Sequence, residues 1–142
     1  MVKFFNEEEA ARIVEAIKEA ELNTSGEIRV HLQKRCWGNI LKGAGSAFHR
    51  LKMDETELRN GVLIYIVPSK HQFAIIGDKG INEKVPDDFW EEVKELMQAY
   101  FRKNRFAEGV CEGVRLSGEK LKEHFPWQDD DENELPDEIS YG

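Results

Sequence analysis

A chain of 142 residues, of which 40% are hydrophobic and 10% aromatic, is long and apolar enough to form one compact domain with a single core. Its longest apolar run covers residues 61–68, which is too short to cross a bilayer, so we expect no membrane span. Residues 1–5 lead into acidic residues without a signal-peptide pattern, and a cytoplasmic protein is therefore expected. Cys36 and Cys111 lack any metal-binding or redox spacing, and we interpret both as buried free thiols.

The net charge of −8 is concentrated at the end of the chain. Residues 127–142 contain seven acidic residues and no Lys or Arg, which leaves residues 1–126 with 20 basic and 21 acidic residues, a net charge of −1. A body this close to neutral lacks the basic field that nucleic acids or anionic membranes require, so neither partner is expected. The simplest interpretation is a folded domain over residues 1–126 and a solvated acidic tail over residues 127–142. Apolar residues inside this tail leave open that part of it docks on the domain or on a partner: Trp127, Leu135, Ile139 and Tyr141.

The first half of the chain predicts a helix, a strand and a second helix. Asn6 followed by Glu9 is a capping-box pattern, and the apolar residues after it recur at helical spacing until residues 23–26 stop the helix. Residues 27–32 alternate polar with apolar side chains, which is typical of a strand with one solvated face. A weaker helical pattern covers residues 38–53.

The second half predicts a hairpin and two helices. Residues 61–67 are continuously apolar, as in a central strand covered on both faces, and residues 72–76 return after a turn at 68–71. A long helix is expected from Pro86, and a last helix from Phe106 to about Phe125. The helical crossover makes the first two strands parallel, and the tight turn makes the third antiparallel to the second. The predicted fold is α/β, a three-layer α/β/α sandwich with a small mixed sheet.

This topology brings several oxygen-bearing side chains to one end of the sheet. Hairpin pairing about a centre near Ser69 places Asn60 opposite Asp78, and the parallel pair places Glu27 at the same end. The chain then enters the predicted long helix through Asp87 and Asp88. Carboxylate and amide oxygens are the ligands that Ca²⁺ and Mg²⁺ prefer. We therefore predict a divalent-cation site formed by Glu27, Asn60, Asp78, Asp87 and Asp88, which could polarise a phosphoryl oxygen or activate water.

Each of these residues also has a purely structural explanation. Asp87 and Asp88 are expected at a helix N-terminus, where acids cap the helix and interact with its dipole. Asp78 and Asn60 are followed closely by glycines and could simply shape turns. The prediction of a site depends on the convergence of the five residues, and not on any one of them.

Several blocks of the sequence resemble the TPM domain family. The resemblance covers roughly residues 4–126 and is carried by four segments: Thr24-Ser25-Gly26-Glu27-Ile28-Arg29-Val30, Thr56-Glu57-Leu58-Arg59-Asn60-Gly61-Val62-Leu63-Ile64-Tyr65, Phe73-Ala74-Ile75-Ile76-Gly77-Asp78 and Phe106-Ala107-Glu108-Gly109. It implies an α/β/α sandwich, the binding of divalent cations, and acid phosphatase activity in some members. The chain is similar to the single-domain bacterial branch. Lys79, beside Asp78, would lower the negative charge of the glycine-rich turn that follows the third strand.

Two further functions remain open at this stage. One is a non-catalytic protein-interaction module that uses the surface and the acidic tail, because no nucleophile–base pair is recognisable. The other is an unrelated enzyme that holds a phosphate with Arg59 or His31. A monomer is expected in either case.

Overall fold

The structure, a computed structural model, describes residues 4–127 and 134–142. These residues form five helices and four strands, in the order α1 (Glu7–Glu21), β1 (Glu27–Leu32), α2 (Ile40–Arg50), β2 (Gly61–Val67), β3 (Gln72–Gly77), α3 (Lys79–Asn82), α4 (Glu91–Arg102), α5 (Phe106–Lys122) and β4 (Ser140–Tyr141). Short 3₁₀ helices at Met53–Glu55 and Pro68–Lys70 flank β2.

The strands form one mixed sheet in the order β3-β2-β1-β4. β1 is parallel to β2, with Glu27 beside Gly61, and β3 is antiparallel to β2, as predicted. The hairpin pairs Val62 with Gly77, and the backbone nitrogen of Asp78 donates to Gly61. Gly61 and not Asn60 therefore lies opposite Asp78, one residue away from the predicted register.

Side chains from the two faces of the sheet form two separate cores, which confirms the three-layer α/β/α sandwich. Ile28, Val30 and Ile64 belong to the core under α1, α4 and α5. Leu63 and Tyr65 belong to the core under α2. β2 is buried along its whole length, as its continuous apolar sequence predicts.

The helix boundaries follow local sequence where a cap is present. Both capping-box hydrogen bonds form, from Glu9 N to Asn6 Oδ1 (2.8 Å) and from Asn6 N to Glu9 Oε1 (3.0 Å). The prediction that the long helix begins at Pro86 is wrong: α4 begins at Glu91, and residues 86–90 form turns. Asp87 and Asp88 therefore do not cap α4, because Trp90 occupies the N-cap position and no described side chain makes a cap hydrogen bond there.

The end of the chain completes the sheet, which the sequence pattern did not predict. Ser140 and Tyr141 pair with His31 and Leu32 of β1, and Leu135 and Ile139 are buried. His31 is consequently 1% exposed, and its Nδ1 lies 2.7 Å from Ser140 Oγ. The expected solvated face of β1 is wrong, because all but one of its residues are buried. Residues 134–142 dock on the domain, which is the alternative that the apolar residues of the tail left open. Four acidic residues of the tail lie outside the described residues: Asp129, Asp130, Asp131 and Glu132.

Candidate functional site

Three of the five predicted site residues meet at one end of the sheet. Glu27 begins β1, Asn60 precedes β2, and Asp78 follows β3. All three are buried, between 2% and 6% exposed. Asp87 and Asp88 are exposed on the turns before α4, and no hydrogen bond or ion pair joins them to the other three within the described residues.

Both carboxylate oxygens of Asp78 are engaged by Arg59. Arg59 Nε donates to Oδ2 at 2.7 Å and Nη2 donates to Oδ1 at 2.9 Å, a paired geometry that fixes both side chains. Oδ1 also accepts from the backbone nitrogen of Lys79 and so caps α3. The Asp78 carboxylate raises the pKa of Arg59, through their hydrogen bonds first. Asp78 therefore stabilises the turn in this arrangement and offers little to a cation.

Asn60 connects the segments that precede β1 and β2. Its side-chain Nδ2 donates to the Ser25 carbonyl at 2.9 Å, and its backbone carbonyl accepts from Glu27 N at 3.2 Å. Its backbone nitrogen donates to Thr56 Oγ1. These hydrogen bonds explain why an amide side chain is buried here, and they position the start of β1.

Glu27 is the predicted residue with an available oxygen. Its Oε1 accepts from Leu135 N at 2.7 Å, whereas Oε2 is buried without a hydrogen-bond partner among the described residues. Burial, with smaller contributions from the charges of Glu134 and Asp137, raises the pKa of Glu27 to about 7, and the backbone amides of Leu135 and Glu134 oppose this increase. A buried carboxylate oxygen without a partner is costly, so this position favours a proton or a cation.

Glu21, at the last position of α1, extends this group and was not predicted. Its Oε2 accepts from Ile28 N at 3.1 Å, on the edge of β1 that β4 does not reach. Burial, followed by a hydrogen bond with Asp137 and the charge of that residue, raises the pKa of Glu21 to about 10. An acidic residue at a helix C-terminus opposes the helix dipole, and this was the signal that the sequence offered.

The tail supplies the remaining members of what we name the carboxylate cluster: Glu21, Glu27, Glu134 and Asp137. Glu134 accepts a hydrogen bond from the backbone of Glu57 at 3.1 Å, and its charge raises the pKa of Glu27. Within the described residues, no group of three or more acidic, His or Cys side chains is already arranged as a metal site. The cluster is therefore a set of neighbouring carboxyl groups, three of which accept hydrogen bonds from backbone nitrogens.

A separate cleft of about 740 Å³ opens at the other end of the sheet. Phenylalanines form much of its walls, among them Phe73 and Phe101, with His71 and Arg102 among the polar residues. β2 spans the distance between this cleft and the start of β1, which is about 20 Å for a strand of this length. A ligand in the cleft would not reach the carboxylate cluster.

The described residues contain no helix that is long and apolar enough to span a membrane. Cys36 and Cys111 are buried free thiols, as expected.

Comparison with known proteins gives a family and several similar folds. A family model described as the TPM domain matches residues 1–120. The NMR structure of BA42 protein from the psychrophilic bacterium Bizionia argentinensis is 46% identical, with a TM-score of 0.94 and coverage of 100% of this chain and 98% of that one. No curated protein matches.

Two more distant NMR structures share the fold. The N-terminal domain of a P. gingivalis protein is 17% identical, has a TM-score of 0.69 and covers 85% of this chain and 78% of its own. The N-terminal domain of the cg2496 protein from Corynebacterium glutamicum is 10% identical and has a TM-score of 0.64. The match covers 96% of this chain and 80% of that one. The family match and the close relative agree with the predicted resemblance, and the chain belongs to the TPM domain family.

Proposed function

We propose that this protein binds a divalent cation, Ca²⁺ in preference to Mg²⁺, at the carboxylate cluster. The observation that carries the proposal is Glu27 Oε2, a buried carboxylate oxygen without a hydrogen-bond partner among the described residues. It belongs to a residue that is 3% exposed and adjoins further carboxyl groups. The proposed site keeps Glu27 from the predicted set, whereas the participation of Asn60, Asp78, Asp87 and Asp88 remains a prediction.

The raised pKa values of Glu21 and Glu27 reflect the cost of ionising buried, neighbouring carboxyl groups, and a bound cation would reduce that cost. Carboxyl groups that are buried beside one another cannot all ionise, so without a cation they retain protons near neutral pH. A divalent cation would replace those protons and interact with the carboxylates directly. Its binding should therefore release protons and strengthen as the pH rises.

The choice of Ca²⁺ follows from the geometry of the cluster. The four carboxylates are not preassembled, and three of them, Glu21, Glu27 and Glu134, are each oriented by a hydrogen bond from the backbone of another segment. Ca²⁺ accepts six to eight oxygens in flexible geometry, whereas Mg²⁺ requires near-ideal octahedral coordination and loses water reluctantly. A site that forms by side-chain rotation suits the larger ion.

Calorimetric titration with CaCl₂ and MgCl₂, in parallel with amide NMR shifts, tests this proposal. Glu27→Gln should weaken Ca²⁺ binding by at least about tenfold, since it removes a charged ligand of the kind a Ca²⁺ site needs. Glu15→Gln is the matched control, because it makes the same substitution at an exposed position of α1 outside the predicted site. Equal loss in both variants, or shifts confined to residues far from Glu21, Glu27 and Asp137, would refute the site.

The family resemblance also suggests weak phosphatase activity, which we propose as an extension of cation binding. A metal-bound phosphoryl oxygen would be polarised at the cluster. Asp78→Ala is a poor test, because the loss of the Arg59 pair would disturb the turn itself. Hydrolysis of a simple aryl phosphate should instead require Ca²⁺ or Mg²⁺ and fall in Glu27→Gln but not in Glu15→Gln. Activity that persists in Glu27→Gln and in chelator would come from a contaminant or another site.

A further inference from the structure

A continuous part of the chain is basic although the protein as a whole is acidic. Residues 33–53 contain five Lys and Arg residues and no acidic residue. The five are Lys34, Arg35, Lys42, Arg50 and Lys52. None of them makes a salt bridge with any residue in the described part of the chain. The near-neutral net charge of residues 1–126 is thus an average over acidic and basic regions, and residues 33–53 form a locally basic one.

Two large apolar side chains project from the same segment. Trp37 is 88% exposed and Leu41 is 59% exposed. Trp37 lies between Arg35 and Lys42 in the sequence, and Leu41 begins the outer face of α2. A tryptophan and a leucine that are exposed four residues apart, in a segment whose Lys and Arg residues have no acidic neighbours in sequence, are the features from which we infer a binding surface.

The loop that presents Trp37 is held firmly from several sides. Lys70 Nζ donates to the Gly38 carbonyl at 2.8 Å, and Ser69 Oγ donates to the Lys34 carbonyl at 3.1 Å. Cys36, the residue before the tryptophan, is buried. Its Sγ would lie 2.7 Å from a side-chain carbon at Gly43, so only glycine allows α2 to approach so closely. The exposure of Trp37 is therefore a consequence of how the loop is anchored.

We name Lys34, Arg35, Trp37, Leu41, Lys42 and Lys70 the basic face. It lies where β1 and β2 end, whereas the carboxylate cluster lies where they begin. Asp54 pairs with His49 near the far end of α2. The Gly142 carbonyl accepts from Lys34 N at 3.0 Å, which holds the end of the described chain beside this face. The acidic and basic regions thus occupy opposite ends of the sheet.

We propose that the basic face docks this domain on the surface of an anionic lipid bilayer. Trp is the side chain that most favours the headgroup region, and Leu41 beside it would add apolar contact. Each Lys or Arg near an anionic leaflet adds to the attraction. A bilayer is an extended negative surface, and a segment of 21 residues without an acid suits it better than it suits one short acidic peptide. The inference is independent of cation binding.

Flotation with vesicles tests the inference. The protein should float with phosphatidylcholine–phosphatidylglycerol vesicles at low salt, with a blue shift of its tryptophan fluorescence, and not with phosphatidylcholine alone. Lys34→Gln/Arg35→Gln should weaken binding by about 25-fold, at roughly fivefold for each basic residue removed. Trp37→Ala should weaken binding and abolish the blue shift. All variants should retain the wild-type melting temperature, because the three residues are exposed.

The matched control is Arg12→Gln/Lys18→Gln, which removes two positive charges from exposed positions of α1 on the other side of the sheet. It should bind vesicles as the wild type does. Absence of binding to anionic vesicles at low salt, or equal loss in the control, would overturn the proposal. So would binding to soluble poly-glutamate that Lys34→Gln/Arg35→Gln removes while vesicles remain unbound, because the partner would then be an acidic polypeptide.

Discussion

Glu21→Gln should stabilise the cation-free protein at pH 7. The pKa of Glu21 rises from 4.5 to about 10 in the folded state, through burial first and then through Asp137. At pH 7 Glu21 is ionised in the unfolded chain and must take up a proton when the protein folds. This protonation costs about 1.4 kcal/mol for each pH unit between the unfolded pKa and pH 7, or roughly 3 kcal/mol in total. Glu21 is half-buried and water screens part of this cost, so we expect a gain of about 1 to 2 kcal/mol. Glutamine can still accept from Ile28 N and can donate to Asp137.

The pH dependence has a definite sign. A carboxyl group with a higher pKa in the folded state destabilises the protein progressively as the pH rises above its unfolded value. In the wild type, Glu27 contributes this loss up to its folded pKa of about 7, and Glu21 up to about 10. The variant retains only the Glu27 contribution. Its free energy of unfolding should therefore fall less steeply with pH, by up to about 1.4 kcal/mol per unit.

Urea denaturation in EDTA, repeated between about pH 5 and pH 8, measures both effects. His31 acts in the opposite direction, because burial lowers its pKa, but its contribution cancels in the difference between the two proteins. Glu15→Gln, an exposed substitution on the same helix, controls for the change in net charge. A variant that is less stable than the wild type at pH 7, or that has the same pH slope, would refute the assignment of a shared proton to Glu21.

Three further substitutions test other contacts. Gly80→Ala would place a Cβ 2.3 Å from the Leu58 carbonyl oxygen and 2.6 Å from that of Arg59. It should lower the free energy of unfolding by roughly 2 to 4 kcal/mol, measured by thermal or urea denaturation. A near-neutral result would show that this turn shifts readily. Asn6→Ala should cost about 1 kcal/mol through loss of the capping box, measurable by urea denaturation, and no loss would mean that the box is not formed in solution. Leu135→Ala should cost about 2 to 3 kcal/mol and increase hydrogen exchange of β4, whereas unchanged exchange would contradict docking of the tail.

The fold was predictable wherever a segment carries its own pattern. Residues 61–67 are apolar throughout because β2 is central, and Asn6 and Glu9 show where α1 begins. β4 has only two residues and no pattern that a sequence could reveal. Its absence from the prediction also explains the error on β1, since His31 is polar yet buried against Ser140.

The candidate site was predictable only in part, for a related reason. Parallel pairing of β1 with β2 places Glu27 near Asn60 and Asp78 from topology alone. The partners that change the chemistry of Glu27 come from the end of α1 and from the tail, and their approach depends on the path of residues 134–139. No local pattern encodes that path beyond the apolar Leu135 and Ile139.

Glu21 also occupies a backbone donor on the edge of β1 that β4 leaves uncovered, which should hinder intermolecular pairing. β4 pairs with β1 only at His31 and Leu32, so the earlier part of β1 would otherwise present unpaired backbone groups beside a strongly apolar core. The Glu21 carboxyl group occupies the Ile28 amide and places an acidic side chain at the point where another strand could add. Detachment of residues 134–142 would leave this group as the main obstacle to intermolecular β-pairing. Loss of the tail should thus be tolerated better by a chain that keeps Glu21 than by one that replaces it with an apolar residue.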